Sequence, residues 1–411
     1  MTSELSPTAA RDPKRAPSIA VLIAVSTISP VAMNIYLPSL SGMVDAFETT
    51  AGKVQLTMSL FFVAIAAAQL VLGPLSDRFG RRPVILWGMV LFVVGSVLCL
   101  LAPTIEALIA ARILQAIGGC AGLVLGRAIV RDLYERDKAA SMIGYVTMGM
   151  TVGPMVGPAI GGFLDERFGW IGGFYMMLVL GVLVLVAAMA NLHETNHRRT
   201  AGSGLAGLWR NYRALMRERL FWAYSLTAMF TSSVYFSYLG GAPFIAADLM
   251  DMEPAEIGLY FMFIAVGYLI GNYISGRLAA RIGILRMVVA GSLLPAVAVL
   301  SLIVSSLAQV HHPLTLFVPM FFVGLGNGIC LPSAISGAVS VRPDLAGAAS
   351  GLTGSMQIGF GALTSAAVAW FLSASMFPAT VWPMTAMMLA CVAATFASVS
   401  TVRILESAQG G

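Results

Sequence analysis

Apolar residues fill this chain in twelve long blocks, broken by short polar segments in which arginine recurs. The blocks fall near 17–37, 55–75, 83–102, 106–128, 140–164, 170–191, 220–243, 256–277, 285–308, 314–340, 346–373 and 380–402. Each is close to the ~20 residues that a helix needs to cross a ~30 Å hydrocarbon core. Backbone amides cannot be left unbonded in hydrocarbon, so blocks of this kind fold as helices. The pattern predicts an all-α membrane protein with twelve transmembrane helices. Residues 192–219 form the one long polar stretch and divide the chain into six-helix halves, 1–191 and 220–411. Residues 1–16 and 403–411 read as short disordered tails.

Composition closes off the soluble alternatives. Of 411 residues, 58% are hydrophobic and 10% charged, with a mean hydropathy of +0.86. So little polar surface cannot cover the core of a water-soluble domain of this length. The first block follows Arg11, Lys14 and Arg15 but is too long for a signal sequence. It ends in Asn34-Ile35-Tyr36-Leu37-Pro38 without a small-residue cleavage site, so it is expected to be a permanent first helix.

With the N-terminus inside, 21 of the 24 Lys and Arg residues fall on the same side; Lys53 and Arg167 fall outside and Arg112 within a helix. Basic residues accumulate in cytoplasmic loops. Both termini are therefore expected in the cytoplasm, with the protein multi-pass in an inner (cytoplasmic) membrane. The net charge of +5 and pI near 9.1 follow from that bias and call for no nucleic acid. Cys99, Cys120, Cys330 and Cys391 lie in apolar blocks and read as packing thiols.

The halves look duplicated. Gly73-Pro-Leu-Ser-Asp77-Arg78-Phe-Gly80-Arg81-Arg-Pro83 follows the second block, and Gly276-Arg-Leu-Ala-Ala-Arg281-Ile-Gly283 follows the eighth. Glycine, leucine, arginine and glycine recur in register, while Asp77 becomes Ala280. Duplicated helical halves with a site at their interface are a transporter architecture. Gly73 and Gly80 suit a tight reversal. Asp77 can accept from helix N-terminal amides or pair with a basic residue such as Arg131. Such a cluster can latch the halves in one state and release them in another; simple membrane anchoring by the arginines is the plainer alternative.

On the fifth block, Gly149, Gly153, Gly157 and Gly161 recur every fourth residue and form a ridge that admits a close neighbour. Pro154 and Pro158 each remove a backbone donor. The Gly73–Pro83 segment resembles the loop signature of the major facilitator superfamily. Gly149–Gly162 resembles the fifth-helix motif of its drug–proton antiporters, and Arg112-Ile-Leu-Gln115-Ala-Ile-Gly118-Gly119 their fourth-helix motif. With Tyr36-Leu37-Pro38, the whole chain looks like the bicyclomycin/chloramphenicol-resistance (Bcr/CflA) branch. The resemblance implies a helix 5 that seals the path against leak and favours exchange. It also implies that Arg112 contacts helix 1 and takes part in proton coupling.

Arg112 is the one basic residue well inside a block, where burial costs roughly +2.5 to +3.5 kcal/mol. It should face protein or water with partners, with Gln115 on the same face; snorkelling to the outer interface is the alternative. Relatives in this branch usually carry an aspartate before Tyr-Leu-Pro, where this chain has Asn34. An amide cannot titrate, so the proton must use a terminal carboxylate (Glu106, Asp132 or Asp248), or coupling is weak, or an anionic substrate neutralises Arg112. Asn34, Gln115, Asn327 and Gln357 are the amides expected at a central cavity, with Tyr36, Tyr235 and Tyr238 as amphipathic rings and Met148 and Met150 as adaptable wall. Interhelical hydrogen bonding alone, or an interfacial position for Tyr235 and Tyr238, would equally explain them. A mainly apolar cavity suits lipophilic compounds.

His193-Glu194-Thr195-Asn196-His197 matches the zinc-protease pattern HExxH, yet it stands where the sixth block runs into a polar linker. The chemistry needs both histidines on one helical face and a third ligand. An intramembrane metalloprotease is thus a remote option, and no metal or cofactor is expected. No phosphate loop occurs, which excludes an encoded ATP-driven pump. The expectation is a non-enzymatic, monomeric carrier exporting small lipophilic drugs against protons by alternating access. A dedicated carrier of one metabolite (an amino-acid derivative, siderophore or organic anion) is the alternative.

Overall fold

A computed structural model of the chain describes residues 18–133, 136–196, 210, 212–310, 312–342, 345–373 and 380–409. The N-terminal half consists of α1 (Ile19–Asn34), α2 (Leu40–Ala46), α3 (Ala51–Phe79), α4 (Arg81–Leu100), α5 (Ile105–Leu133), α6 (Arg136–Phe168) and α7 (Ile171–Asn191). The C-terminal half consists of α8 (Arg219–Met250), α9 (Pro254–Tyr260), α10 (Met262–Ile282), α11 (Ile284–Leu307), α12 (Pro313–Ser340), α13 (Ala346–Ser373) and α14 (Trp382–Gln409). Because α1 runs on into α2, and α9 into α10, these helices among the described residues group into twelve columns. Among the described residues, ten of these are long and apolar enough to cross a membrane. The other two, α6 and α8, are the columns richest in Gly and Pro or in Ser, Thr and Tyr.

The first column breaks for a local reason. Pro38 has no N–H to give the Asn34 carbonyl, so α1 ends there. The chain passes through a 3₁₀ turn at Leu37–Ser39 before α2 begins. The first block therefore extends to Ala46 rather than stopping at residue 37. The C-terminus also differs from the expected tail: α14 continues to Gln409. Its last turns dock, with Val402 buried and the Tyr224 hydroxyl on α8 donating to Glu406.

Packing repeats between the halves. α1 lies against α5 and α6 as α8 lies against α12 and α13; α4 pairs with α5 as α11 pairs with α12. Between the halves, α3 packs on α13 and α6 on α9 and α10. The backbone repeats as well. Gly80 between α3 and α4 has φ +105°, and Gly283 between α10 and α11 has φ +92°. A side chain is strained in that conformation, which accounts for glycine at both reversals.

The glycine ridge of α6 sets how deeply α1 sits. A Cβ at Gly149 would meet Ile23, at Gly153 Pro30 and Val31, and at Gly157 Asn34 and Ile35. At Gly161 it would stand 1.5 Å from the Ile35 carbonyl oxygen. The next ridge faces the other half: a Cβ at Gly162 would meet the Pro254 carbonyl oxygen at 2.4 Å, and one at Gly258 would meet that of Pro158 at 2.3 Å. Gly161→Ala is expected to lower the melting temperature of purified protein clearly, since overpacking costs typically 1–3 kcal/mol. Gly276→Ala, where nothing lies within 4 Å, should leave it nearly unchanged. Equal melting of both variants with the parent would refute the close approach.

Candidate functional site

Arg112 is fully buried, at 0% exposure. Its guanidinium donates to the Ala32 carbonyl at 3.0 Å and to Gln115 Oε1, with Met177 Sδ at 3.9 Å. It lies 4.0 Å from the Phe61 ring centre, 4.3 Å from Tyr36 and 5.9 Å from Phe174. Gln115 in turn donates to Ser96 Oγ at 2.7 Å, and Tyr36 O–H shares a 3.4 Å bond with Thr57. A guanidinium stays charged in proteins, so its field must be met by dipoles and ring faces here. Among the described residues it has no carboxylate partner, and its Nε is buried without a hydrogen bond. The site is buried protein, which sets aside the snorkelling alternative.

Asn34 does not join that cluster by a hydrogen bond. Its Nδ2 donates to the Pro30 carbonyl at 2.8 Å, and its Oδ1 accepts from the Tyr235 hydroxyl of α8 at 3.2 Å. This bond joins the two halves just where α1 breaks. The halves meet nearby through Gln55 Nε2 to Ser365 Oγ (2.7 Å), Ser355 Oγ to the Ala66 carbonyl (3.1 Å), and the Phe62 and Phe236 rings 4.9 Å apart.

The remaining amides and rings disperse. Tyr238 is buried among Phe261 and Phe317, and Asn327 is buried with Oδ1 unbonded among the described residues. Gln357 is half-buried and donates to the Thr353 carbonyl at 3.3 Å. Tyr235 and Tyr238 thus lie inside the protein rather than in an interfacial belt. Met150 is half-buried and packs against the core, while the side chain of Met148 lies outside the described residues.

At the Arg-rich end, Asp77 and Arg131 have side chains outside the described residues, as does Pro154 in the middle of α6, so the expected Asp77–Arg131 pair is not described. Gly73 is open, and Arg78 stacks on Phe79 at 5.3 Å. Arg81 pairs with Asp132 at 3.1 Å and donates to Ser76 Oγ. Glu194, the acid of the HExxH match, accepts from the backbone N–H of Arg81 (2.9 Å) and Arg82 (3.3 Å) at the start of α4. Arg82 reciprocates at the end of α7, donating to the carbonyls of Leu192 (2.7 Å) and Met189 (3.4 Å). Each charge thus meets the helix end of opposite polarity. Gly80 is crowded by this carboxylate, 2.3 Å from where its Cβ would stand.

Residues 192–196 are not helical, so the histidine pattern lacks the face that zinc binding requires; His197 lies outside the described residues. No cluster of three or more possible metal ligands occurs among the described residues. Sequence reasoning missed Phe61, Ser96, Phe174 and Met177 around the guanidinium, which as isolated apolar or small residues carry no signal. It also missed Glu194 and Arg82. An acid just past α7, with an arginine pair at the facing helix start, was the available clue.

The fold and this buried cation define a class. The Major Facilitator Superfamily model matches residues 22–366, and the chain belongs to that superfamily; it is a membrane transporter, not an enzyme. Among its relatives are a bicyclomycin resistance protein homolog of Haemophilus influenzae and a chloramphenicol resistance protein of Pseudomonas aeruginosa. The first is 27% identical over 373 residues, covering 90% of this chain and 91% of the relative. The second is 30% identical over 341 residues, covering 81% and 78%. Within the superfamily the chain is thus of the Bcr/CflA drug–proton antiporter type. A bacterial homologue of the lysosomal transporter Spinster, solved inward-facing and occupied, has the same fold. Its TM-score is 0.72 at 16% identity, covering 95% of this chain and 96% of that one.

Two outcomes test the geometry. Arg112→Lys should abolish transport in proteoliposomes while folded protein is retained, because one ammonium cannot reach Ala32 and Gln115 as a planar fork does. Unchanged flux would remove Arg112 from the site. Glu194→Ala should lower stability by about 1 kcal/mol, as loss of a helix cap does, measured by thermal unfolding; an unaltered melting curve would mean that the cap contributes nothing.

Proposed function

We propose that this transporter exports small lipophilic compounds from the cytoplasm by alternating access, in exchange for protons. It works as a monomer in the inner membrane with its termini and arginine-rich loops inside. The observation that carries the reading is the Asn34–Tyr235 bond, which ties the two halves beside a buried guanidinium with no carboxylate partner among the described residues. Breaking one neutral hydrogen bond costs little, of order 1 kcal/mol net, so the halves can separate there and expose an apolar, amide-bearing path. The resistance relatives support export of drug-like compounds. Arg112 holds α1 against α5, and Gln115, Asn327, Gln357 and Tyr238 supply the sparse polar groups of the path.

Within this reading the proton uses a carboxylate away from Asn34. Glu106 is paired with Lys53 at 3.1 Å and Asp132 with Arg81 at 3.1 Å. Asp248, near the end of α8, lies within electrostatic reach of Asp45 on α2 in the other half, and is the carboxylate we assign to coupling. Asp77, Arg78 and Arg131 with Gly73 and Gly80 act as the latch at the cytoplasmic end. The helix-6 glycines Gly149, Gly153, Gly157 and Gly161, with Pro154 and Pro158, keep the path sealed between states.

Compound efflux from a pump-deficient host, with and without an uncoupler, tests the whole reading. A broad, uncoupler-sensitive profile is expected. A response to one metabolite would replace drug export with a dedicated carrier, and insensitivity to the uncoupler would remove the proton. Asn34→Asp should make export depend more steeply on the pH gradient, and Asp248→Asn should weaken that dependence; an unaltered gradient response in Asp248→Asn would refute the coupling assignment.

A further inference from the structure

We propose that the groove between α8 and α14, at the arginine-rich end of the bundle, binds an anionic phospholipid of the adjacent leaflet. The groove encloses about 360 Å³ and is lined by Arg219, Trp222, Ala223, Leu226, Ser398, Thr401 and Leu405. Its two hydroxyls are already used. Ser398 Oγ donates to the Ala394 and Thr395 carbonyls at 2.9 Å, and Thr401 Oγ1 to the Ala397 carbonyl at 2.9 Å. What they leave facing the groove is hydrocarbon. Residues 398 to 405 rise about 10 Å along α14 at 1.5 Å per residue, a length that accommodates the upper part of an acyl chain.

Charge identifies the headgroup. Arg219 is the first residue of α8 and is exposed, and no side chain caps that helix end. Arginine and free helix N-terminal amides both favour an anion. Of the acidic residues near this corner, Glu218 is paired with Arg342 at 3.2 Å, and the Glu406 carboxylate is turned to α8, where it accepts from the Tyr224 hydroxyl. Arg213 and Arg217 on the approach to α8 are exposed and add to the positive field. Trp222 lies at the same level, its indole Nε1 fixed on the Met216 carbonyl at 3.0 Å. An amphipathic ring in that position suits the headgroup boundary. A phosphate over Arg219 with its acyl chain between Leu226 and Leu405 satisfies both parts of the groove.

The test uses the purified full chain, phosphatidylglycerol and phosphatidylethanolamine, with retained lipid counted by native mass spectrometry. The parent should retain phosphatidylglycerol in preference. Arg219→Gln should cut that retention about fivefold, the equivalent of the ~1 kcal/mol one arginine contributes near an anionic surface, and leave phosphatidylethanolamine unchanged. Leu226→Trp should displace both lipids by filling the groove. Arg403→Gln, an exposed arginine of α14 outside the groove, should have no effect. Equal retention of the two lipids by the parent, or full retention by Arg219→Gln, would overturn the proposal. Should Leu226→Trp fail to fold, the Arg219→Gln and Arg403→Gln comparison decides alone.

Discussion

A guanidinium enclosed by protein in a membrane constrains everything around it. Arg112 has no carboxylate among the described residues, so its charge is met by the Ala32 carbonyl, the Gln115 amide and the faces of Phe61 and Tyr36. Ala32 is on α1, Tyr36 in the turn that follows it and Phe61 on α3, so these segments must stay close to α5, while Gln115 stands one turn along α5 itself. α1 is held from the other side by the glycine ridge of α6, which lets the two backbones approach until Gly161 all but touches the Ile35 carbonyl. With α1 fixed between the cation and the ridge, its break at Asn34 points that side chain to Tyr235 of the opposite half. The interface between the halves is thus set by a charge that lies wholly inside one of them.

The two halves share a plan but not a chemistry. Gly118 and Gly326 occupy matching close approaches, to Gly88 and Gly291. Six residues before Gly118 stands Arg112; six before Gly326 stands Met320, fully buried. The C-terminal half carries its polarity instead as hydroxyls, many of them on α8, which bond back to their own helix. Gly283 has open space where Gly80 meets Glu194. One half is stiffened by a cation and a capped reversal, whereas the other is closed by neutral packing. An asymmetric pair of this kind places its polar leverage on one side of the interface.

At the arginine-rich end, neighbouring helix termini are joined by exchange of charges: Glu194 meets the amides opening α4, and Arg82 the carbonyls closing α7. Both interactions oppose side-chain charge to a helix dipole. The linker between the halves is therefore anchored where it leaves α7, and its anchor is the same segment that crowds Gly80. A motif that reads as zinc chemistry in one dimension serves here as a helix cap.

Spans, halves, the reversal motifs and the presence of an arginine within a span were legible in the sequence because hydrocarbon imposes length and polarity on each helix separately. Those constraints are local, and a string of residues displays them. The break after Asn34 was not legible: the first block reads as one helix to residue 37, whereas Pro38 ends α1 and α2 carries the column on to Ala46. The chain alone left open which way Asn34 faces, whether Arg112 reaches lipid or protein, that Glu194 caps α4, and that α14 keeps its helix to Gln409. Each of these depends on a partner far along the chain: Tyr235, Phe61, Arg81 and Tyr224. Such pairings are decided by how helices approach in three dimensions, where small residues permit contact and an unpaired charge demands it.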